Sequence, residues 1–141
     1  MPKSSRLFVV EGFFVLVIVC VLGTYNSRLP RVTFVLPDDY VGRLEVIKAM
    51  HAPDILGESM LDAHVYFPSD GRVEVQSLGK LQRAHRLSCS YRNGKSMPVS
   101  FDGPDNATAL RLGTFVDNGT TQKIVYIVGT KADEDALINA L

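Results

Sequence analysis

In the run from His85 to Arg92, polar and apolar residues alternate without a break from Arg86 onward. Leu87, Cys89 and Tyr91 fall on one side, and Arg86, Ser88, Ser90 and Arg92 on the other. A period of two places successive side chains on opposite faces of an extended strand and does not build a helical stripe. Asn93-Gly94 follows, a pair suited to the two positive-φ positions of a type I′ hairpin turn. Met97 to Phe101 is then the expected partner strand, with Pro98 placing it at a sheet edge.

The same pattern runs through the chain from Val32 onward, punctuated by Pro, Gly, Asn and Asp at short intervals. Val32 to Leu36 reads as a first strand. Arg43 to Val46 turns Leu44 and Val46 inward and both charges outward. Met60 to Phe67 sets Leu61, Ala63, Val65 and Phe67 on one face and Asp62, His64 and Tyr66 on the other. Pro68 to Gly71 is a turn by composition, and Arg72 to Gln76 alternates again. Ala109 to Val116 and Lys123 to Val128 flank a second Asn-Gly at 118–119. The Ile-Val-Tyr-Ile-Val run within the last strand is apolar on both faces, as a central strand requires. The expected fold is all-β: a small antiparallel β-sandwich of about seven strands with no internal repeat.

The tail changes period. Thr130 can cap a short helix whose first turn holds Asp133, Glu134 and Asp135, where carboxylates complement the helix dipole. Ala132, Ala136, Leu137, Ala140 and Leu141 form its narrow apolar stripe, expected to pack on the sheet edge.

The start of the chain has a different character. Lys3 and Arg6 precede Leu7 to Gly23, which is apolar except for Glu11. Basic residues, an apolar block and a polar Thr-Tyr-Asn-Ser linker make an export pattern. We read residues 1–23 as one hydrophobic helix, either a signal anchor or a signal peptide cleaved near Gly23, residues 24–31 as a linker, and residues 32–141 as the β-sandwich domain. Lys3 and Arg6 favour an inside N-terminus, so the domain would lie outside the cytoplasm, held to the membrane through residues 7–23 or secreted after cleavage.

Composition narrows the function classes. With 141 residues, 46% of them apolar, the chain can bury one ordinary core. A formal net charge of zero creates no overall field for nucleic acid, and no nucleic-acid partner is expected. Cys20 falls in the leader, which leaves Cys89 alone in the domain without an internal disulfide partner.

The stretch LPDDYVGRLEV, Leu36 to Val46, places two carboxylates beside a tyrosine. Adjacent residues in a turn point apart, whereas catalytic carboxylates must converge on one substrate. We therefore read a corner. Pro37 sets φ at the first central turn position, Asp38 and Asp39 bond nearby backbone, Gly42 permits a bulge, and Tyr40 lays its ring on the core with its hydroxyl at the surface. With Phe67-Pro-Ser-Asp-Gly71 downstream, this motif resembles a family of exported bacterial domains of unknown function, marked by an apolar strand followed by Pro-x-x-Tyr-x-Gly. The resemblance covers Val32 to the C-terminus. It implies a small extracytoplasmic β-domain of the bacterial envelope and supplies no activity or catalytic residue.

Two constellations bear on function. Lys80, Arg83, Arg86, Arg92 and Lys95 lie in a stretch without an acid and form the candidate anion-binding set, suited to an anionic lipid, a glycan or an acidic protein partner. The competing enzymatic reading is a metal-dependent hydrolase using His51, Asp62 and His64, with Asp54 and Glu58 nearby, although no pair has a metal-ligand spacing. No nucleophile elbow, glycine-rich phosphate loop or cofactor motif is present. The sequence thus describes an exported structural or interaction module without a catalytic residue or cofactor.

Overall fold

The computed structural model describes residues 18, 20, 29–57, 61–100 and 106–140. It is mostly β. Among the described residues eight strands run in the order β1 (Arg31–Leu36), β2 (Gly42–Lys48), β3 (Ala63–Tyr66), β4 (Arg72–Val75), β5 (Arg86–Tyr91), β6 (Ser96–Met97), β7 (Ala109–Asp117) and β8 (Gln122–Gly129). A single helical turn, α1 (Gly79–Gln82), separates β4 from β5, and α2 (Lys131–Ile138) follows β8. The predicted N-terminal helix lies outside the described residues except for Ile18 and Cys20, both helical. No helix among the described residues is long and apolar enough to cross a membrane.

The strands form two four-stranded sheets, ordered β3-β1-β5-β6 and β4-β2-β8-β7. Both sheets are mixed, which corrects the antiparallel expectation: β1 pairs in parallel with β3 and β5, and β2 in parallel with β4. The reason lies in the corners. A hairpin returns the chain beside itself within one sheet, but Pro37 to Val41 and Phe67 to Gly71 each carry it across to the opposite sheet. β1 and β2 therefore make one arch and β3 and β4 a second, stacked on the first with the same chain direction. The two corner sequences are alike, Leu-Pro-Asp-Asp-Tyr-Val-Gly-Arg-Leu-Glu-Val at 36–46 and Phe-Pro-Ser-Asp-Gly-Arg-Val-Glu-Val at 67–75, so an internal repeat exists after all. Their strands do not pair at the equivalent residues, since Glu45 lies opposite Arg72.

The corners are tied to one another by backbone. Phe67 N–H donates to the Val35 carbonyl at 2.9 Å, Arg92 N–H to the Leu36 carbonyl at 2.9 Å, and Glu45 N–H to the Gly71 carbonyl at 2.8 Å. Within the first corner Tyr40 N–H closes a turn on the Pro37 carbonyl, so Pro37 opens the turn instead of occupying its first central position. Asp39 adopts φ +57, a left-handed conformation that Asp tolerates better than most residues. Asp38 Oδ1 accepts from the Asn93 N–H at 2.8 Å and joins this corner to the β5–β6 turn. In that turn Gly94 alone is left-handed and Tyr91 pairs with Lys95, which makes a three-residue hairpin loop in place of the expected type I′ turn.

One core lies between the sheets. Val32, Phe34 and Leu36 from β1, Leu44 and Val46 from β2, and Val65 and Phe67 are wholly buried in it, each contributing about 1.5–3 kcal/mol of burial. Phe34 touches Phe67 and, across the sheets, Tyr126, both edge-to-face with ring centroids 5.0 Å apart. Leu61, expected on the inward face, is instead exposed, and the strand begins only at Ala63. After β6 the chain changes sheets at Pro98: Val99 bridges Leu110, and Leu110 N–H donates to the Pro98 carbonyl. The sheets are thereby joined along the β6–β7 side as well as at the corners.

β8 lies between β2 and β7, and Ile124 to Gly129 are all buried, as a central strand demands. α2 packs on β8 and β7. Thr130 and Asp133 form a reciprocal capping box at its start. No residue of α2 is fully buried; Leu137 of the expected stripe is half-buried, and Leu141 lies outside the described residues. Arg111 does more: its buried guanidinium donates to the carbonyls of Gly129 and Ala107 and lies 3.9 Å from Glu134.

Candidate binding cleft

The two sheets do not close on each other everywhere. Phe115 pairs with Ile124 and so lies on the core-facing side of β7, yet it remains 46% exposed. Leu87, inward-facing on β5, is only half-buried. Between these strands the core is open, and a cleft of ≈ 690 Å³ occupies the gap. Leu81 and Gln82 of α1, His85 before β5, Leu87, Val99, Phe115 and Ile124 line it, with Tyr126 and Gly113. Such a volume falls in the range of small-molecule sites, as does an apolar lining with few polar groups.

Local sequence produces the opening. β7 shifts register between Arg111 and Thr114, and Gly113 sits within that irregularity. A Cβ on Gly113 would stand 2.7 Å from the Tyr126 ring and 3.1 Å from its hydroxyl oxygen, so the absent side chain is the space the phenol occupies. Tyr126 is 5% exposed, and burial alone pushes its pKa well above the usual tyrosine range. Its hydroxyl has no hydrogen-bond partner among the described residues. No buried polar side-chain atom among the described residues lacks a partner, so this hydroxyl still reaches solvent through the cleft, and a ligand that covers it must offer a hydrogen bond in water's place. Gln82 and His85 are the other polar side chains on the wall; His85 Nδ1 lies 2.7 Å from the Arg83 carbonyl.

The cleft escaped sequence reasoning because its lining comes from five separate segments. The candidate anion-binding set, in contrast, is local in sequence but divided in space. Arg86 stands at the start of β5, its Nε donating to the Leu29 carbonyl, while Arg92 follows the other end and donates to the Phe67 carbonyl at 3.0 Å. Lys95 is exposed in the hairpin beside Arg92, Arg83 is exposed near α1, and Lys80 is buried. Arg92 and Lys95 thus share one end of the sheet, and Lys80, Arg83 and Arg86 the other.

The residues of the hydrolase reading are each engaged or placed elsewhere. His51 is exposed in the β2–β3 loop, Asp62 Oδ1 accepts from the Arg31 N–H at 2.9 Å, and the His64 ring stacks on Tyr66 with centroids 6.4 Å apart. Among the described residues no three His, Cys, Asp or Glu side chains gather as a metal site. Glu58 lies outside the described residues. Cys89 is buried in the core, and desolvation pushes its thiol up to about 12.

Sequence reasoning also overlooked a charged cluster on the outer face of the second sheet. Glu45, 6% exposed, receives Arg43 at 2.6 Å, Lys123 at 2.8 Å and Arg72 at 3.2 Å. Desolvation raises its pKa, but the Lys123 hydrogen bond and the three cations outweigh that and leave it below the usual range.

No protein-family model matches the chain, and no curated protein matches it. Among solved structures, a crystal structure of a candidate lipoprotein from Bacillus anthracis is similar at 12% identity and a TM-score of 0.43, covering 70% of this chain and 68% of that one.

Proposed function

We propose that the chain is an exported β-domain, held at the outer side of a membrane through residues 7–23, that acts as a non-catalytic binding module and takes an apolar ligand in the cleft between β5 and β7. The observation that carries the reading is Phe115, an aromatic side chain turned toward the core yet 46% exposed. A folded core seldom leaves an inward phenylalanine uncovered unless something else completes the packing. The basic and apolar leader at 1–23 supports export, and the resemblance of Leu36 to Val46 to exported bacterial envelope domains points the same way.

Nile red, neutral and bright only in apolar surroundings, tests the cleft. The wild-type protein should raise its emission saturably, and Val99→Trp, which fills the cleft from one wall, should weaken binding at least tenfold with an unchanged melting temperature. Equal binding by the two proteins, or none by the wild type, removes the reading.

A further inference from the structure

The inner wall of the cleft is not uniformly apolar, and this restricts what it accepts. Leu81, Leu87, Val99, Phe115 and Ile124 call for a hydrocarbon surface. Tyr126 interrupts them with a hydroxyl that reaches solvent only through the cleft and pairs with no described residue. Its ring is fixed from two sides, edge-on against Phe34 and laid over Gly113, so the phenol cannot swing away to find a carbonyl elsewhere. A purely hydrocarbon ligand would seal that hydroxyl away from the solvent that still reaches it, at a cost typical of an unmade buried hydrogen bond. An anionic group would fare worse at this depth: none of the described lining residues is a lysine or arginine, and a charge without a partner is strongly disfavoured in such surroundings.

Resting on the cleft being a ligand site, we infer that its ligand is a neutral apolar molecule whose inner end presents an uncharged hydrogen-bond acceptor, a carbonyl or ether oxygen, to the Tyr126 hydroxyl. Tyr126 is the donor because burial holds the phenol protonated at every ordinary pH. His85 and Gln82, less deeply placed, meet the outer part of the ligand. Specificity then resides in one deep hydrogen bond, since a site built around a polar partner rejects the analogue that lacks it.

Three small probes separate the possibilities: acetophenone, ethylbenzene as its hydrocarbon counterpart, and benzoate as the charged arm. Each is titrated into the full chain while the amide resonances of Gly113, Ile124 and Tyr126 are followed by NMR. Tyr126→Phe keeps the ring and its packing on Phe34, so the variant folds. It should weaken acetophenone about three- to tenfold, the worth of one net hydrogen bond, and leave ethylbenzene unchanged or tighter. Benzoate should shift none of the three amides. Acetophenone binding equally well to both proteins overturns the inference and leaves the cleft a plain apolar site. Benzoate binding as tightly as acetophenone overturns it in favour of an anionic ligand. If no probe moves these amides, the cleft is not a ligand site and both readings fail.

Discussion

Tyr40 covers Gly71: the tyrosine ring from the first arch lies where a side chain on the second would have to stand, and its hydroxyl donates to the Arg43 carbonyl at 2.6 Å. The relationship explains why the two arches can stack with corners of unequal length. The longer one folds its tyrosine over the shorter, and the shorter yields by having no Cβ.

That contact sets the first prediction. Gly71 has φ +70, and an added Cβ would collide with both the Tyr40 hydroxyl and the Arg43 carbonyl oxygen. Gly71→Ala should destabilise the protein by about 3 kcal/mol or more, combining left-handed strain with overpacking. Gly94 shares the conformation, at φ +86, but has open space around it. Gly94→Ala should therefore cost only the conformational term, about 1–2 kcal/mol. Urea denaturation midpoints for the two variants check the difference, and equal losses would show that the Tyr40 contact carries no weight.

Glu45 gives a pH signature. Its carboxylate is favoured in the folded state by Lys123, Arg43 and Arg72, so its folded pKa lies below its unfolded one. The stabilisation is fully present above the unfolded value and is lost as pH falls through the folded value. Glu45→Gln should lower stability by about 1–2 kcal/mol at neutral pH, modest because the cations keep partial access to water. The gap between the two proteins should shrink as pH drops below about 4.5. Denaturation series at several pH values measure it.

Cys89 should be silent in the native protein. With its thiol pushed up to about 12 and its sulfur in the core, it has almost no thiolate at pH 8. In a Cys20→Ser background, a thiol reagent should label it only as fast as the protein opens. Immediate labelling under native conditions would mean that the core around β5 and β6 is looser than described.

Much of the strand content was legible, and the reason is local. Alternation in β1 and β5 reports directly which side chains face the core, the unbroken apolar run of β8 marks a strand buried on both faces, and Val32, Phe34, Cys89 and Tyr91 stand where their period puts them. Thr130 and Asp133 announced the helix start through chemistry confined to four residues. Sheet membership was not legible in this way. Whether Pro37 to Val41 returns the chain or carries it across depends on what the corner packs against, and that partner, Gly71, lies some thirty positions on. The likeness of 36–46 to 67–75 was the available signal for stacked arches. The basic run from Lys80 to Lys95 misleads for the complementary reason: a six-residue strand carries Arg86 and Arg92 roughly 20 Å apart. The cleft is further still from sequence, because an opening is defined by what five segments fail to cover.

The most direct measurement of the central claim uses the absence of tryptophan from this chain. Phe115→Trp places the sole tryptophan, excited selectively at wavelengths beyond tyrosine absorption, on the inward face of β7 at the open seam. The account predicts strong quenching by acrylamide in the free protein, and protection with a shift to shorter wavelength when ethylbenzene or acetophenone fills the cleft. Emission already blue and shielded without ligand would show the sheets closed over β7, and would contradict the existence of the site.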